Sequence, residues 1–336
     1  SSSEKKKMSY LGRMNYNYKS RYYFTFTGRF DGASNFAANK KWGFFPSGAL
    51  KWNVSKEEFL KKVDWIDELA FRLSAGRTGN DAIGTYQSLE AMTTTSGGYL
   101  FNGSQPAAYY RTRVDNPDLT WEKTDQYNLG VDLSLFKGRL NVTAEVYYAK
   151  TSDLLLNVQL ANQSGYNSRL MNMGKTSNKG VELSIESHNI SLPKFSWSTT
   201  FTIASNKQKV EDLAGAEYIS FYNSPDGYMM QGAREGYPLN ALWGFQYAGV
   251  WHSTEEMERN DVTHTYASTL AITGSSGESR FGYPKYYVVI HDGALDICVM
   301  VYLGNADPDV YGGLQNTFKW GNLKVGVYFS YQLGGK

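Results

Sequence analysis

The chain has 336 residues, and its 34 basic and 32 acidic side chains nearly cancel. This balance gives no argument for a nucleic-acid partner. A single cysteine, Cys298, excludes an internal disulfide framework and a cysteine-based zinc cluster. No apolar run is long enough for a membrane helix, but a transmembrane β-barrel stays open, because only alternate residues of its strands face lipid.

The first eight residues, "SSSEKKKM", are polar and basic and have no apolar core of the kind that signal peptides carry. We expect residues 1–8 to be a disordered or non-native segment. We expect residues 9–336 to form barrel strands joined by turns and long loops.

The stretch "YNLGVDLSLFKGRLNVTAEVYYAK" (127–150) places apolar and polar residues in strict alternation on either side of Lys137-Gly138. Because a strand sends successive side chains to opposite faces, this pattern predicts a hairpin with one apolar and one polar face. About eleven segments show this alternation, and many have close to the ten residues that a membrane-spanning strand needs. Further examples are 22–29, 181–186, 195–203 and 323–331.

The connections between these segments are of two sizes. The tight ones are 19–20, 137–138, 192–194 and 321–322, and the long ones are about 31–41, 77–122, 151–175 and 204–236. For the first four long loops, tight and long connections alternate along the chain. This order is typical of an up-and-down barrel with short turns on one rim and long loops on the other.

One connection on the short-turn side differs from the rest. "SKEEFLKKVDWIDEL" begins with Ser55 and has Glu58 three residues later, which is the pattern of a capping box. It predicts a short helix, followed by a strand from about Ile66 to Gly76. An ordinary connection and a special role for this helix both stay open.

Aromatic residues recur near the predicted strand ends. Tyr and Trp favour the membrane interface, although aromatics are also good strand formers in any sheet. The candidates for an interfacial girdle are Trp42, Phe44, Phe45, Trp52, Tyr147, Tyr148, Trp243, Phe245, Trp320 and Tyr331.

Several stretches together resemble one known family. They are "KWGFFPSGALKWNVSKEEFLK" (41–61), "LAFRLSAGRTGNDAIGTYQSL" (69–89), "NPDLTWEKTDQYNLGVDLSLFKGRLNVTAEVYYAKTSDLLL" (116–156), "GKTSNKGVELSIES" (174–187), "EGYPLNALWGFQYAGVW" (235–251) and "LGNADPDVYGGLQNTFKWGNLKVGVYFSYQLGG" (303–335). In this order they are similar to the SusC/RagA family of TonB-dependent outer-membrane transporters of Bacteroidetes.

The resemblance implies an all-β fold, an antiparallel up-and-down transmembrane barrel that is part of a 22-stranded one. It implies import of oligosaccharides or peptides across the outer membrane of a Gram-negative bacterium, with energy from the TonB complex and a SusD-like surface lipoprotein as a lid. The plug, the TonB-contacting segment and the last strands are expected to lie outside this chain. TonB would then act through the missing N-terminal part, and this chain would contact the lid, the glycan or peptide ligand and outer-membrane lipid.

The chain departs from the family pattern between Gly282 and Asn305, where the family usually has an acidic loop. Only Asp292, Gly293 and Asp296 fit a calcium-loop pattern, and two carboxylates are too few for a hard cation. We expect no metal there. Whether this stretch is a strand, a degenerate loop or a sequence error stays open. We expect 239–250 to be a spanning strand. If nothing spans between it and the next clear strand near Val310, turn 321–322 lies on the long-loop rim. If "YYVVI" (286–290) or "ICVMVYL" (297–303) spans, which is the alternative that we favour, the turn returns to the short-turn rim.

No residues carry a recognisable catalytic pattern, and we expect neither an enzyme nor a cofactor. The histidines 188, 252, 264 and 291 are scattered, and Cys298 lies in an apolar run. Asp153, Glu182 and Glu186 are candidates for paired carboxylates, but alternation places both glutamates on a polar wall, which a polar lumen explains.

Aromatic residues in two long loops are the candidates for ligand binding or contact with the lid, since aromatic faces with nearby polar groups commonly hold sugars and peptides. Packing of each loop onto its neighbours is the alternative. The candidates are Tyr99, Phe101, Tyr109 and Tyr110 in loop 77–122, and Tyr218, Phe221, Tyr222 and Tyr228 in loop 204–236.

Two other functions stay open. A TonB-dependent siderophore or corrinoid receptor keeps the barrel and changes the cargo. A soluble carbohydrate-binding β-sandwich or adhesin would instead bury the apolar faces of its strands against a second sheet.

Overall fold

The computed structural model describes residues 4–96, 107–159, 163, 166, 168–223, 229–252, 266–268, 282–288 and 299–336. The chain divides into two compact units, the first comprising Ser1–Ala216 and Asp309–Leu333 and the second Glu217–Pro308 and Gly334–Lys336. Within the described residues, no helix has the length and hydropathy needed to cross a bilayer.

The strands of the first half are β1 (Lys7–Tyr18), β2 (Tyr22–Ala33), β3 (Trp42–Asn53), β4 (Ile66–Asn80), β5 (Ala91–Ser96), β6 (Ala107–Arg113), β7 (Glu122–Leu135), β8 (Leu140–Ser152), β9 (Leu155–Gln159), β10 (Ser168–Asn172), β11 (Lys175–Ser191) and β12 (Phe195–Asp212). Those that follow are β13 (Ile219–Asn223), β14 (Met229–Ala233), β15 (Ala241–Gly244), β16 (Tyr247–Val250), β17 (Tyr266–Ser268), β18 (Pro284–Tyr287), β19 (Val301–Asn305), β20 (Val310–Trp320) and β21 (Leu323–Leu333). One 3-10 helix covers Val54–Lys56.

The first unit is built on one antiparallel sheet in which ten of the described strands follow the order β1-β2-β3-β4-β7-β8-β11-β12-β20-β21. Neighbours in this sheet follow one another along the chain, apart from inserted short strands, as an up-and-down topology requires. The predicted all-β antiparallel barrel wall is confirmed. The sheet contains ten long strands, where the sequence predicts about eleven.

The prediction of a spanning strand at 239–250 is wrong. This segment forms β15 and β16, which belong to two small sheets, β13-β14-β15-β19 and β16-β18-β17, and neither joins the large sheet. The chain therefore leaves the large sheet at Asp212 and re-enters it at Val310. Strand β12 pairs directly with β20, with Phe195 opposite Trp320. Turn 321–322 lies on the short-turn rim, as predicted, although no further spanning strand is needed to place it there.

Packing within the second unit explains why the hydropathy alternation of 239–250 predicts a spanning strand that does not form. Ala241, Trp243 and Met300 are buried together in a local core, with Phe245 packed against it. Alternate apolar residues in this segment therefore contact protein, whereas the same pattern in the large sheet lies on an uncovered face. Hydropathy alone does not distinguish these two environments.

Several predicted boundaries shift. Strand β1 begins at Lys7, so the last two residues of the segment 1–8 are part of the sheet. Strands β2, β4 and β12 continue to Ala33, Asn80 and Asp212, and the loops 77–122 and 151–175 contain the hairpins β5–β6 and β9–β10. The extension of β4 pairs polar with polar residues, since Thr78 lies opposite Thr124 and Asn80 opposite Glu122, and the other extensions and hairpins mix polar and apolar residues. They carry no hydropathy alternation by which the sequence could reveal them.

The tight turns lie where the sequence predicts them. Lys19 and Ser20 both have positive φ angles, 53° and 52°, and Lys137 and Gly138 have φ angles of 58° and 75°. At 19–20, the two consecutive positive φ angles and a hydrogen bond from the Arg21 amide to the Tyr18 carbonyl at 3.0 Å are the geometry of a type I′ turn, whose twist matches that of the flanking strands. At 137–138 the preceding Phe136 also has a positive φ of 58°, and residues 136–139 form a four-residue loop between the paired Leu135 and Leu140.

Candidate functional site: a wall with one apolar and one polar face

The apolar face of the large sheet is uncovered. Leu73, Leu129 and Val181 are 53%, 49% and 54% exposed. They lie in one row, because Leu73 pairs with Leu129, Leu129 with Val146 and Val146 with Val181. No second sheet covers this face in the part of the chain that the structure describes, so the β-sandwich alternative is not supported.

The opposite face carries charged and hydroxyl side chains. The Arg72 guanidinium donates to both carboxylate oxygens of Asp132, at 2.8 and 3.2 Å, and to Glu145 at 3.4 Å. Glu145 lies directly opposite Glu182 on β11. Glu182 and Glu186 are therefore on the polar wall, as predicted, whereas Asp153 pairs separately with Lys123 at 3.1 Å, so the three carboxylates do not form one site.

A groove of about 680 Å³ runs along the polar face of β1–β4 and β7. Arg13, Arg29 and Asp31 line it together with hydroxyl side chains such as Thr25 and Thr27. Arg29 pairs with Asp31 at 2.7 Å, and Arg13 donates to Thr27 at 3.1 Å. This surface can hold polar partners by hydrogen bonds and charge, as a barrel lumen does.

Aromatic pairs mark the apolar face at the short-turn rim. The ring centroids of Tyr22 and Trp52 are 6.4 Å apart, those of Trp65 and Phe136 are 6.2 Å apart, and Trp320 is 71% exposed. These are amphipathic rings at the edge of an apolar band, which is the position that membrane interfaces favour.

A second aromatic group lies at the other end of the same face. Phe30 stacks on Trp42 with 5.0 Å between ring centroids, and Tyr10 stacks on the other side at 6.1 Å. Tyr22 and Phe30 are eight residues apart on β2, about 27 Å at roughly 3.4 Å per residue. With the usual strand tilt of about 35–45°, this length spans about 19–22 Å along the membrane normal, a little less than the apolar band of about 25 Å.

Four girdle candidates do not belong to this face. Phe45 is buried against Trp121, and Tyr147 points to the polar side and reaches Asn206 at 3.2 Å. Trp243 is buried in the second unit, and Phe245 packs against the same core. Phe45 directly follows Phe44, and Tyr147 directly precedes Tyr148. Because successive side chains of a strand point to opposite faces, only one residue of each such pair can lie on the apolar face.

The short-turn connection 54–65 is not the predicted capped helix. Its helical part is only Val54–Lys56, without a side-chain cap, and Ser55 instead donates to Asn53 at 2.7 Å. Glu57 organises the segment, accepting hydrogen bonds from Tyr22 at 2.7 Å and Trp52 at 3.1 Å and pairing with Arg21 at 3.1 Å. The sequence motif points to Glu58, whereas the aromatic partners of Glu57 become adjacent only when β2 and β3 pair.

Hydrogen bonds from Tyr22 and then Trp52 lower the pKa of Glu57 below its usual range, and the charge of Arg21 acts in the same direction. A group with a depressed folded-state pKa stabilises the fold above its unfolded pKa and loses this effect as pH falls through the folded value. We expect the protection factors of amides in 54–65, which compare each exchange rate with the intrinsic rate at the same pH, to be unchanged between pH 7 and about 5 and to fall below about pH 4. Hydrogen-exchange mass spectrometry of the full-length protein checks this. Glu57→Ala should show low protection factors at every pH, and an unaltered profile in that variant would contradict the role of Glu57.

The aromatic binding candidates stay predictions. Tyr99, Phe101 and Tyr228 lie outside the described residues. Tyr109 on β6 is 71% exposed and Tyr222 on β13 is 61% exposed. Tyr110 lies beside Tyr109 on β6, opposite Thr93.

Sequence reasoning missed an aromatic cluster in the second unit. Arg234 lies over the Trp243 ring at 4.5 Å, and Tyr237 packs edge-on against Trp243 with 4.8 Å between centroids. Tyr302 joins Trp243 at 5.9 Å. Three of these residues lie in or directly before the stretch "EGYPLNALWGFQYAGVW", which therefore builds the core of this unit rather than a spanning strand.

The possible metal residues Asp292, Gly293 and Asp296 fall outside the described residues, as do Cys298, His264 and His291. Among the residues that the structure describes, no three metal-ligating side chains come together. Several of the described charged groups of the wall form ion pairs instead, such as Arg72 with Asp132 and Lys123 with Asp153.

Comparison with known proteins gives consistent matches. The family described as TonB dependent receptor-like, beta-barrel matches residues 1–289. TonB-dependent receptor P3 of Formosa agariphila is 35% identical over 334 residues, which are 98% of this chain and 32% of that protein. TonB-dependent receptor SusC of Bacteroides thetaiotaomicron is 33% identical over 253 residues, 71% of this chain and 25% of that protein.

Among solved structures, the RagAB peptide transporter superposes with a TM-score of 0.75 at 23% identity, over 98% of this chain and 33% of that chain. At this identity the likeness concerns the fold. This chain spans about a third of the length of the curated relatives that it matches over nearly its whole length.

Proposed function

Because this chain belongs to the family of TonB-dependent receptor-like β-barrels, we propose that the protein containing it imports oligosaccharides or peptides across the outer membrane of a Gram-negative bacterium. The match with SusC confirms the resemblance that the sequence motifs indicate. The proposal needs no catalytic residue, since the chemistry of import is capture and displacement of an unchanged ligand.

The observation that carries the proposal is the two-faced sheet. Its apolar residues form continuous exposed rows such as Leu73, Leu129, Val146 and Val181, and its polar residues form a charged wall around Arg72. A wall of this kind is stable where lipid covers one side and a polar lumen lies on the other.

The partners follow from the same family. A SusD-like surface lipoprotein would cap the long-loop rim, the TonB complex would supply energy through a plug outside this chain, and lipid would cover the apolar face. The glycan or peptide would contact aromatic residues of the long loops, for which Tyr109, Tyr110 and Tyr222 are the candidates that the structure describes.

Deletion of the gene tests the proposal. We expect the deletion strain to lose growth on one class of oligosaccharide or peptide, with uptake at least about tenfold slower, and a TonB-deficient strain to show the same defect. An affinity tag on the protein should co-purify a surface lipoprotein encoded beside it. Loss of growth on an iron chelate or a corrinoid instead would assign the protein to the siderophore and corrinoid receptors.

A further inference from the structure

Four lysines gather on the outer, apolar side of β8, β11 and β12, close to the long-loop rim. They are Lys150, Lys179, Lys207 and Lys209, and together they are called here the basic outer patch. Lys179 lies directly opposite Lys207 on β12 and opposite Tyr148 on β8. Ser177 lies between Lys150 and Lys209 in the next row.

The register places this patch on the membrane side of the wall. No register shift occurs between Thr176 and His188 on β11, so Lys179 shares a face with Val181, two residues away. Val146 and Val181, paired with each other, are exposed apolar residues of that face. The lysines therefore begin where the apolar band ends, at the level of Tyr148, which is the depth of lipid headgroups.

The positive charge of the patch is balanced only in part. Lys209 pairs with Glu211 at 3.4 Å, Glu211 also accepts a hydrogen bond from Ser177 at 2.7 Å, and Asp125 on β7 lies directly opposite Lys150. No carboxylate of the described residues lies within 4 Å of the ammonium groups of Lys150, Lys179 and Lys207. Like charges directly opposite one another on neighbouring strands are destabilising. Such an arrangement calls for an anion from outside the chain.

Other basic residues at the same end of the sheet do have acidic partners. Lys123 pairs with Asp153 at 3.1 Å and Lys175 with Asp212 at 3.2 Å. Arg77 forms two hydrogen bonds with Asp125, at 2.6 and 2.8 Å. Lysines without an ion pair also occur at the short-turn rim, where Lys319 lies directly opposite Lys324 on the polar face. Lys179 and Lys207 differ from these because they lie on the apolar face, directly above exposed residues such as Val181.

We propose that the basic outer patch binds the phosphate group of a lipid headgroup in the leaflet at the long-loop rim. Neighbouring strands are about 4.8 Å apart, so ammonium groups from three strands can reach different oxygens of one phosphate. The acyl chains of the same lipid would cover the apolar rows around Val146 and Val181. This inference rests on the proposed function, because it requires that the apolar face meets a bilayer.

The experiment uses the full-length protein purified in detergent. Native mass spectrometry and thermal unfolding are measured with a phosphorylated lipid A, with its dephosphorylated form and with inorganic phosphate. The test variant is Lys150→Gln/Lys179→Gln/Lys207→Gln, and the control is Lys19→Gln/Lys137→Gln/Lys194→Gln, which removes three exposed lysines from the short turns. We expect the phosphorylated lipid to bind and stabilise the wild type and the control, and to bind the test variant on the order of a hundredfold more weakly.

Arginines at the same three positions should restore binding, which separates a phosphate site from a general need for folding. Equal loss in the test and control variants, or equal binding of the dephosphorylated lipid, would overturn the proposal. Stabilisation by inorganic phosphate alone would point to a free-anion site and would also overturn it. Ligand uptake by the test variant is measured in parallel. If the test variant keeps ligand uptake but loses lipid binding, both the import function and the lipid site are supported. If the wild type imports its ligand but binds no lipid, only the proposal of the lipid site is overturned.

Discussion

Val142→Arg is expected to impair insertion of the barrel, whereas Thr143→Arg is expected to be tolerated. Val142 lies on the apolar face between Leu133 and Ile185, its partners on the two neighbouring strands. An arginine on the lipid face costs about 2–4 kcal/mol at the bilayer midplane and less toward the interface. We expect a loss of about 2 kcal/mol at Val142, which lies only a few residues from the short turn.

Thr143 is the matched position on the other face. Its hydroxyl lies 3.4 Å from Asp132, and Glu145 is two residues further along the strand. An arginine there finds carboxylates and water rather than hydrocarbon. Val327 and Tyr328 provide a second matched pair on β21, where the apolar face again alternates with the polar one.

The measurement is the folded fraction of full-length protein after refolding into vesicles, read from its migration with and without heating, together with urea unfolding of the inserted form. Equal damage from substitutions on both faces would count against lipid as the partner of the apolar face. Equal tolerance of both would do so as well.

The second expectation concerns the junction at which β12 pairs with β20. Gly312→Ala should destabilise the barrel by about 3 kcal/mol, because a Cβ atom there would collide with the backbone carbonyl of Thr202 and with the Tyr331 ring. The same carbonyl accepts a hydrogen bond from the Tyr331 hydroxyl at 2.9 Å. A backbone atom in a paired strand has little freedom to move away.

Gly326→Ala is the control for this substitution. Gly326 lies on the adjoining strand β21, opposite Thr317, and a Cβ atom there would have nothing within 4 Å. We expect this variant to unfold at the wild-type urea concentration, and Gly312→Ala to unfold at a clearly lower one. Similar midpoints for the two variants would mean that β12 and β20 do not pair in this register.

Some features of the large sheet follow directly from the sequence. The alternation in 127–150 determines two strands, the turn between them and the composition of each face, because the side-chain period of a strand is a property of its backbone. The tight turns at 19–20 and 137–138 can be predicted too, because each lies where one alternating segment ends and the next begins. The order of short and long connections is likewise visible along the chain.

Other features have no local signal. The polar extensions of β4 and β12, and the hairpins inside the long loops, carry no regular hydropathy pattern. The predicted capping box does not form, because Glu58 accepts hydrogen bonds from Arg21 and Lys61 and Ser55 donates to Asn53. The neighbouring Glu57 is held by Tyr22 and Trp52, which belong to two different strands. Propensity and motif cannot anticipate a partner that lies far along the chain.

The residue pattern along the chain specifies the kind of surface that each strand presents. The folded chain specifies what that surface contacts: Ala241 and Trp243 alternate like a lipid-facing strand and are buried in a protein core, while Leu129 and Val181 are exposed. It also specifies that Lys179 lies beside Lys207 and that Gly312 lies against Thr202. Both depend on the register between paired strands, which is set by the whole ladder of hydrogen bonds and by turn lengths rather than by any single segment.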